Sequence, residues 1–236
     1  MPSKPVGAAR CVAATMGGMT DQLTPTDRTK VRRLAERGRF DRATVNEVLD
    51  EAYIAHVGFV VDGEPRVLPM TYGRDGEVLY LHGAVGNAML RASAGAEVCV
   101  TVTLLDGLVL ARSAFHHSMN YRSVVLLGTA TKVEDDVEKR HAFETIVEHV
   151  LPGRTQVARA ANDAELRATL VLRLPIEEGS AKVRTGGPKE DAEDMDLPVW
   201  AGVVPLRLIP AAPVQDPAQT QTLPAPVIQG SGRAPG

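Results

Sequence analysis

Cysteine is scarce in this sequence, and its scarcity excludes one class of architecture. Only Cys11 and Cys99 occur in 236 residues, the first near the amino terminus and the second in an apolar run. Cysteines so few and so placed indicate no disulfide framework, so a hydrophobic core must hold the fold together. A reducing cytoplasm is the expected location.

Long apolar runs and a strong net charge are also missing. The chain nowhere approaches the roughly 18 consecutive apolar residues that a membrane-spanning helix needs, and its start lacks the apolar stretch of an export signal. The formal net charge is -3. This charge gives no overall electrostatic reason to bind nucleic acid or an acidic membrane. We therefore expect neither partner.

The two ends of the chain differ in composition from its centre. Residues 211–236 are rich in Pro, Ala and Gln without periodicity, and such segments bury too little apolar surface to become ordered. The whole chain is 44% hydrophobic, which supports one sizeable core. The prediction is a disordered leader at 1–22, one domain at 23–210 and a disordered tail at 211–236.

Capping signals predict helices on both sides of a strand-rich centre. Thr24-Pro25-Thr26-Asp27 offers an N-cap, a first-turn proline and an acid, and Gly38 would end that helix. A second short helix is expected from about Arg42, and an amphipathic helix from Asp136 to Leu151. A further capped segment begins at Asn162.

Between these helices the apolar pattern changes to that of short strands. Residues from Tyr53 to Val61 are β-branched and aromatic, and Asp62-Gly63 is a hairpin signal into the next strand. Asp106-Gly107 predicts a second tight turn. Six such strands, with no G-x-G-x-x-G motif after any of them, favour a closed or nearly closed antiparallel barrel over a Rossmann sheet.

The most informative segment is the polar run from Phe115 to Ser123, which lies between two apolar strand-like runs. Its imidazoles, amide, phenol, guanidinium and hydroxyls together can bind an anion, stack on a ring and hydrogen-bond the ring edge. The run is interpreted as one wall of a cofactor site. Arg122 beside Ser123 is the best phosphate candidate, because a guanidinium matches phosphate oxygens in bidentate geometry. A surface salt bridge is the alternative.

Two adjacent imidazoles, His116 and His117, are the candidate catalytic residues. Neighbours on a strand point to opposite faces, so one metal ion could not easily take both, and no metal site is predicted. A histidine beside the cofactor is the preferred interpretation, and haem ligation is the alternative.

Several segments together match one known family. They are Ala55-His56-Val57-Gly58-Phe59-Val60, Pro69 with Tyr72, Leu79 to Ala84, Val100 to Ser113, the His-His-Ser-Met-Asn-Tyr-Arg-Ser run, and Ser180 to Arg184 with Trp200. In these segments the chain resembles the FMN-binding split-barrel proteins related to pyridoxamine 5'-phosphate oxidase, and among them the nitroimidazole-resistance-like branch. The resemblance covers about Arg39 to Leu206. It implies a mainly β fold with flanking helices, built on a six-stranded antiparallel split barrel of Greek-key type.

The resemblance also implies a homodimer with FMN in clefts at the subunit interface. The implied cofactor-binding residues are the flavin-edge strand Val67, Leu68, Pro69, Met70 and Thr71, the phosphate-side loop His82, Gly83 and Asn87, and the remaining set Ser118, Asn120, Tyr121, Arg122, Ser123, Lys182, Arg184 and Trp200. Oxidase relatives carry Arg or Lys where this chain has Asn87-Ala88. Arg122 and Ser123, with Lys182 or Arg184, would then have to supply the phosphate grip.

The implied activity is that of an FMN-dependent oxidoreductase. It would accept electrons from a nicotinamide and pass them to a small-molecule acceptor such as a nitro compound or a quinone. Oxidation of pyridoxamine phosphate itself is not expected, because no Arg-x-His grip follows Trp200. The alternatives are a non-catalytic barrel that binds or senses flavin or haem, and a deazaflavin-dependent reductase.

Overall fold

The computed structural model describes residues 21–221 of the chain. Within that range it contains ten β-strands and four α-helices. In chain order these are β1 (Gly38–Arg39), α1 (Arg42–Glu51), β2 (Ala55–Val61), β3 (Glu64–Met70), β4 (Tyr72–Asp75), β5 (Val78–Ala84), α2 (Ala88–Ser93), β6 (Ala96–Leu110), β7 (Ser118–Lys132), α3 (Asp136–Val150), α4 (Asp163–Ala168), β8 (Thr169–Pro175), β9 (Glu178–Arg184) and β10 (Gly202–Pro205).

The strands form an antiparallel sheet whose two ends are neighbours along the chain. Its main path runs β3-β2-β6-β7-β8-β5-β4, while β9 pairs with β7 and β1, and β10 pairs with β6. Only Thr71 separates β3 from β4, so a single bent segment supplies both ends of the path. The mainly antiparallel architecture with flanking helices is as predicted. The count of six strands is not confirmed, since residues 21–221 contain ten.

The main core fills the inner face of this curved sheet. Alternate residues of β2, β6 and β7 point inward, as strand geometry requires, and α1 closes the core from one end. The Tyr72 hydroxyl donates to the carbonyl oxygens of Leu49 at 2.5 Å and Ala52 at 3.1 Å. This buried phenol therefore satisfies main-chain carbonyl groups at the buried carboxyl-terminal end of α1. The fully buried members include Val45, Val48, Val57, Leu79, Leu81, Val100, Val102, Val124, Leu126, Leu172 and Leu174.

A second, smaller core lies between α3 and the outside of the sheet. Ala142 and Ile146 of α3 pack with Tyr80, Val133 and Val171. The helix begins at the predicted position, where the Asp135 carboxylate accepts from the backbone N–H of Glu138 at 2.8 Å. The amphipathic helix predicted after the barrel is thus confirmed, and it packs as expected.

Of the other predicted helices, two form and one does not. α1 is capped by Asp41, and α4 has a capping box in which Asn162 and Glu165 bond each other's backbone N–H groups. The helix predicted from Thr24 to Gly38 is wrong, because only one turn and a three-residue 3-10 helix form there. Thr26 and Arg28 instead bond the carboxylate of Glu178. That tertiary contact outweighs the local capping signal.

Of the two predicted tight turns, one is confirmed and one is wrong. Asp62 and Gly63 have φ values of 51° and 80°, as a two-residue hairpin turn requires. At Asp106-Gly107, by contrast, β6 continues and contains a bulge. Gly107 is needed there because β10 packs against it: a Cβ would lie 3.1 Å from the Val203 Cγ1 atom.

Predictions for residues 1–20 and 222–236 fall outside the described residues. Among the helices of residues 21–221, none combines the length and the apolar character that crossing a bilayer requires.

We expect Gly73→Ala to lower the free energy of unfolding by about 1–3 kcal/mol, because its methyl group would push α3 away from β4. A Cβ at Gly73 would lie 2.8 Å from the backbone nitrogen and Cα of Ile146. Urea denaturation measures the change. Gly86→Ala is the matched control, since a Cβ there meets nothing within 4 Å. Equal stabilities of the two variants would contradict this packing argument.

Candidate cofactor site

The outer face of the sheet brings several of the predicted site residues together. Backbone register aligns Pro69 of β3, His56 of β2 and Thr101 of β6 in one row. On the same face, Ser123 of β7 lies opposite Lys182 of β9. The sequence motifs from distant segments therefore do converge on one surface.

The strand β3 gives this face an open edge. Within residues 21–221, β3 pairs only with β2. The main-chain N–H and C=O groups on its other side therefore have no partner strand in that range. Val67 is 63% exposed, and Pro69 is exposed as well. Leu68 and Met70 point the other way and pack against the core. The predicted residues Val67 to Thr71 thus offer two outward side chains and an unpaired main-chain edge, which suits a planar ligand.

Of the predicted phosphate-side loop, His82 and Gly83 lie on β5 itself, and Asn87 follows that strand. Asn87 caps α2, since its Oδ1 atom accepts from the backbone N–H of Leu90 at 3.1 Å. At Gly83 a Cβ would lie 3.2 Å from a methyl group of Leu90. The His82 ring lies 6.3 Å from the Phe143 ring, and burial lowers the pKa of His82. A neutral imidazole and a capped short helix are present here.

The two adjacent histidines lie in the turn between β6 and β7 and not on a strand. A 3-10 helix spans Ala114–His116, so the argument that strand neighbours face opposite ways does not apply to them. His116 Nε2 lies 3.0 Å from a carboxylate oxygen of Asp191. The Nδ1 atom of His117 lies 2.9 Å from the Ser113 carbonyl oxygen. Because a carbonyl only accepts, Nδ1 of His117 carries the proton.

A group of possible metal ligands surrounds one of these histidines. The donor atoms of His116, Asp191 and Asp194 all lie within 4.8 Å of one another. Asp191 is exposed, and the contact that it makes is an ion pair or hydrogen bond to the imidazole. The contact of His116 with Asp191 holds the β6–β7 turn against the loop that follows β9.

Arg122 is enclosed by carboxylates. Its guanidinium donates to both oxygens of Glu51, at 2.5 and 2.8 Å, and to both oxygens of Asp106, at 2.9 and 3.1 Å. Glu47 lies 3.5 Å away. The hydrogen bonds that Arg122 donates, chiefly to Glu51 and to a smaller extent to Asp106, raise its pKa above the usual value. A cofactor phosphate could reach this guanidinium only by displacing one of these pairs.

Arg184 has the opposite environment. It is 6% exposed, and it donates to the Asn120 side chain and to the carbonyl oxygens of Gly186 and Gly187, at 3.2 and 3.1 Å. Its Nε atom is buried without a hydrogen-bond partner in the described part of the chain. Desolvation, and then the charge of Arg37, lower the pKa of Arg184. Among residues 21–221, no carboxylate forms an ion pair with Arg184, in contrast to Arg122.

Tyr121, Ser118 and Trp200 are the other predicted residues whose positions bear on the site. Tyr121 pairs with Arg184 across β7 and β9, and Ser118 begins β7 opposite Val109. Trp200 is 64% exposed and its ring lies over Gly202, where a Cβ would come within 2.9 Å of it. The tryptophan therefore does not close the core of this chain.

The structure also adds residues that the sequence did not point to. Arg37, Arg39 and Lys189 share a cleft with Arg184. Each is a common surface residue type without a motif around it, and only the β1–β9 pairing brings them together. The loop after β9 also contains Glu190, whose carboxylate accepts from the Arg112 side chain at 2.6 Å. This contact holds the loop against the sheet.

The family model described as pyridoxamine 5'-phosphate oxidase matches residues 41–183. The chain therefore belongs to the pyridoxamine 5'-phosphate oxidase family, as the resemblance of its motifs indicated. Among curated proteins, no significant match was found.

Solved structures extend this similarity over most of the chain. The flavocytochrome Anf3 from Azotobacter vinelandii is 38% identical, with a TM-score of 0.82 over 88% of this chain and 98% of that one. The FAD and heme binding protein from Mycobacterium smegmatis is 39% identical, with a TM-score of 0.79 over 82% and 97%. A proposed 5-nitroimidazole antibiotic resistance protein from Bacteroides thetaiotaomicron is 28% identical, with a TM-score of 0.51 over 62% and 86%.

We expect Arg122→Gln to lower the free energy of unfolding by about 1–3 kcal/mol, because it leaves Glu51 and Asp106 partly buried without their cation. Chemical denaturation measures the loss. The control is Arg159→Gln, whose exposed pair with Glu165 should contribute nothing measurable. If Arg122→Gln kept wild-type stability but lost its cofactor, Arg122 would be a phosphate ligand and not a structural residue.

Proposed function

We propose that this chain is a redox protein that binds a flavin nucleotide and haem. The observation that carries the proposal is its 38–39% identity to two proteins named for both cofactors, over 97–98% of their lengths. The family model stops at residue 183, whereas the match to the flavocytochrome covers 88% of this chain. The similarity thus includes segments that flank the family's own barrel.

The outer face of the sheet fits a flavin. A flavin ring needs a flat contact and donors and acceptors along one edge, and the unpaired side of β3 at Val67 to Met70 supplies a main-chain edge. Ser123 and Lys182 on the same face add a hydroxyl and a cation. FMN was the expected nucleotide, and FAD is the alternative favoured by the Mycobacterium protein's name.

His117 is the residue that best fits a haem iron. Its Nδ1 proton is held by the Ser113 carbonyl, which leaves the lone pair on Nε2 pointing away from the turn. Histidines that bind metals commonly donate their other ring N–H to a carbonyl in this way. His116 is less suited, because its Nε2 atom is engaged by Asp191.

An apolar surface beside His117 suits the porphyrin. Phe115 is 89% exposed, and Met119 and Trp200 are exposed at the same end of β6, β7 and β10. Soluble monomers rarely expose large aromatic groups together without a ligand or a partner. We therefore assign this end of the sheet to haem and the β3 side to flavin.

A second copy of the chain is the proposed partner. Val60 and Val67 are exposed on the outer face of β2 and β3, and Leu105 is exposed further along that face on β6. His56 and Thr101 lie between Val60 and Leu105 on this face, so the exposed apolar side chains are separate contacts that a second copy would cover. A homodimer would also exclude water from the flavin, as the family resemblance implies.

Bound flavin supplies one- and two-electron transfer, and haem supplies one-electron transfer. The chain's own contribution is to position the two groups on one sheet and to keep water away from them. A nicotinamide donor and a small acceptor of the nitro or quinone type remain the proposed reaction partners.

The absorbance spectrum of the freshly purified full chain tests the two-cofactor proposal. We expect flavin bands and a Soret band, with the flavin nucleotide identified by mass after denaturation. His117→Ala should lose the Soret band and keep the flavin bands. His141→Ala, an exposed histidine paired with Asp75, is the control and should keep both. A colourless protein that takes up neither cofactor would overturn the proposal.

We expect Val60→Glu to raise the dimer dissociation constant at least about tenfold, because it places a charge in an apolar interface. Sedimentation or light scattering at several concentrations measures this. Val137→Glu on α3 changes another exposed valine, which lies away from the proposed interface, and should leave the dimer intact. A wild-type chain that is monomeric at all concentrations would contradict the homodimer.

A further inference from the structure

A basic cleft lies between residues 36–39, which include β1, and the end of β9. Its volume is about 200 Å³, and Arg37, Arg39, Arg184 and Lys189 line it with Glu36 as the one carboxylate among its lining residues. Two hydrogen bonds hold Arg39 to the carbonyl oxygens of Glu36 and Gly38, each at 2.8 Å. Four cationic side chains thus line the cleft beside a single carboxylate.

Arg184 is the buried wall of this cleft. It donates three hydrogen bonds, and all three acceptors are neutral oxygens, those of Asn120, Gly186 and Gly187. Its Nε–H has no partner in residues 21–221, although no solvent reaches it. A buried guanidinium normally lies against a carboxylate, because an unpaired charge is costly to desolvate. Here none of the described acids forms an ion pair with it.

The neighbouring Arg37 increases this imbalance. It is half-buried in the same cleft, and its charge is one of the causes that lower the pKa of Arg184. Two guanidinium groups that repel each other across a small cavity are stable together when an anion lies between them. Arg122 shows the contrast within the same sheet, since it is fully paired with carboxylates.

We propose that this cleft is a binding site for a phosphate or diphosphate group. A forked guanidinium pair matches the oxygens of such an anion better than a single ammonium does. The group could belong to a flavin nucleotide or to a nicotinamide dinucleotide. If the group is a flavin phosphate, the proposal rests on the flavin binding proposed above, and in either case it stands even if the chain binds no haem.

Calorimetric titration of the full chain with inorganic pyrophosphate tests the site. We expect one site per protomer, and an affinity that falls at least about tenfold in Arg37→Gln. The control Arg33→Gln removes an exposed arginine of the same segment that does not line the cleft. It should bind pyrophosphate as the wild type does. Arg184→Gln should abolish binding, with circular dichroism showing whether it folds.

Nucleotide titrations then identify the source of the anion. A loss in Arg37→Gln for FAD or FMN but not for riboflavin assigns the cleft to the flavin phosphates. A loss for NADPH alone assigns it to the electron donor, and both results support the proposal. No pyrophosphate binding by the wild type, or equal losses in Arg37→Gln and Arg33→Gln, would overturn it. The visible spectrum reports separately on flavin and haem, so failure of one proposal is distinguishable from failure of the other.

Discussion

The pairing of β6 with β7 is the constraint on which the rest of the molecule depends. Both strands are fifteen residues long, and they remain in register from Ala96 with Ala130 to Val109 with Ser118, apart from one bulge. Because side chains alternate, this one ladder fixes which residues enter the core and which face outward. It also provides the edges to which β2, β9 and β10 attach. A slip of one residue would exchange the two faces, so the core and the candidate site are specified together.

The arginines of this sheet fall into two groups. Some form ion pairs with acids and stabilise the fold, and others have no such pair and could bind a ligand. Arg122 and Arg74 lie against acids from α1, which binds that helix to the sheet. Arg184 lies against neutral oxygens only. Asn87 and Ala88 supply no cation where the resemblance implies a phosphate site. Four basic residues line the cleft at the β1–β9 end instead.

The sequence was sufficient for features governed by local chemistry. The helix start near Arg42, the capped segment at Asn162, the turn at Asp62-Gly63 and the amphipathic helix after β7 were all predictable, because each depends on neighbours within a few residues. Asp106-Gly107 was misread because the strand that covers Gly107 comes from the far carboxyl-terminal segment. The environment of Arg122 was equally hidden, since Glu51 lies 71 positions away in the chain. Motifs thus indicated the family and the surface, but not which cations remain unpaired.

The short strand β10 has a consequence for the solubility of the protein. It pairs with β6 from Gly107 to Leu110 and lies beyond residue 183, where the family's own segment ends. Without it, that stretch of β6 would present unsatisfied main-chain groups and apolar side chains along an open edge. Such edges recruit strands from other molecules. The carboxyl-terminal extension therefore covers an edge that could otherwise accept strands from molecules outside the proposed dimer, and we expect a chain cut after residue 183 to aggregate more readily.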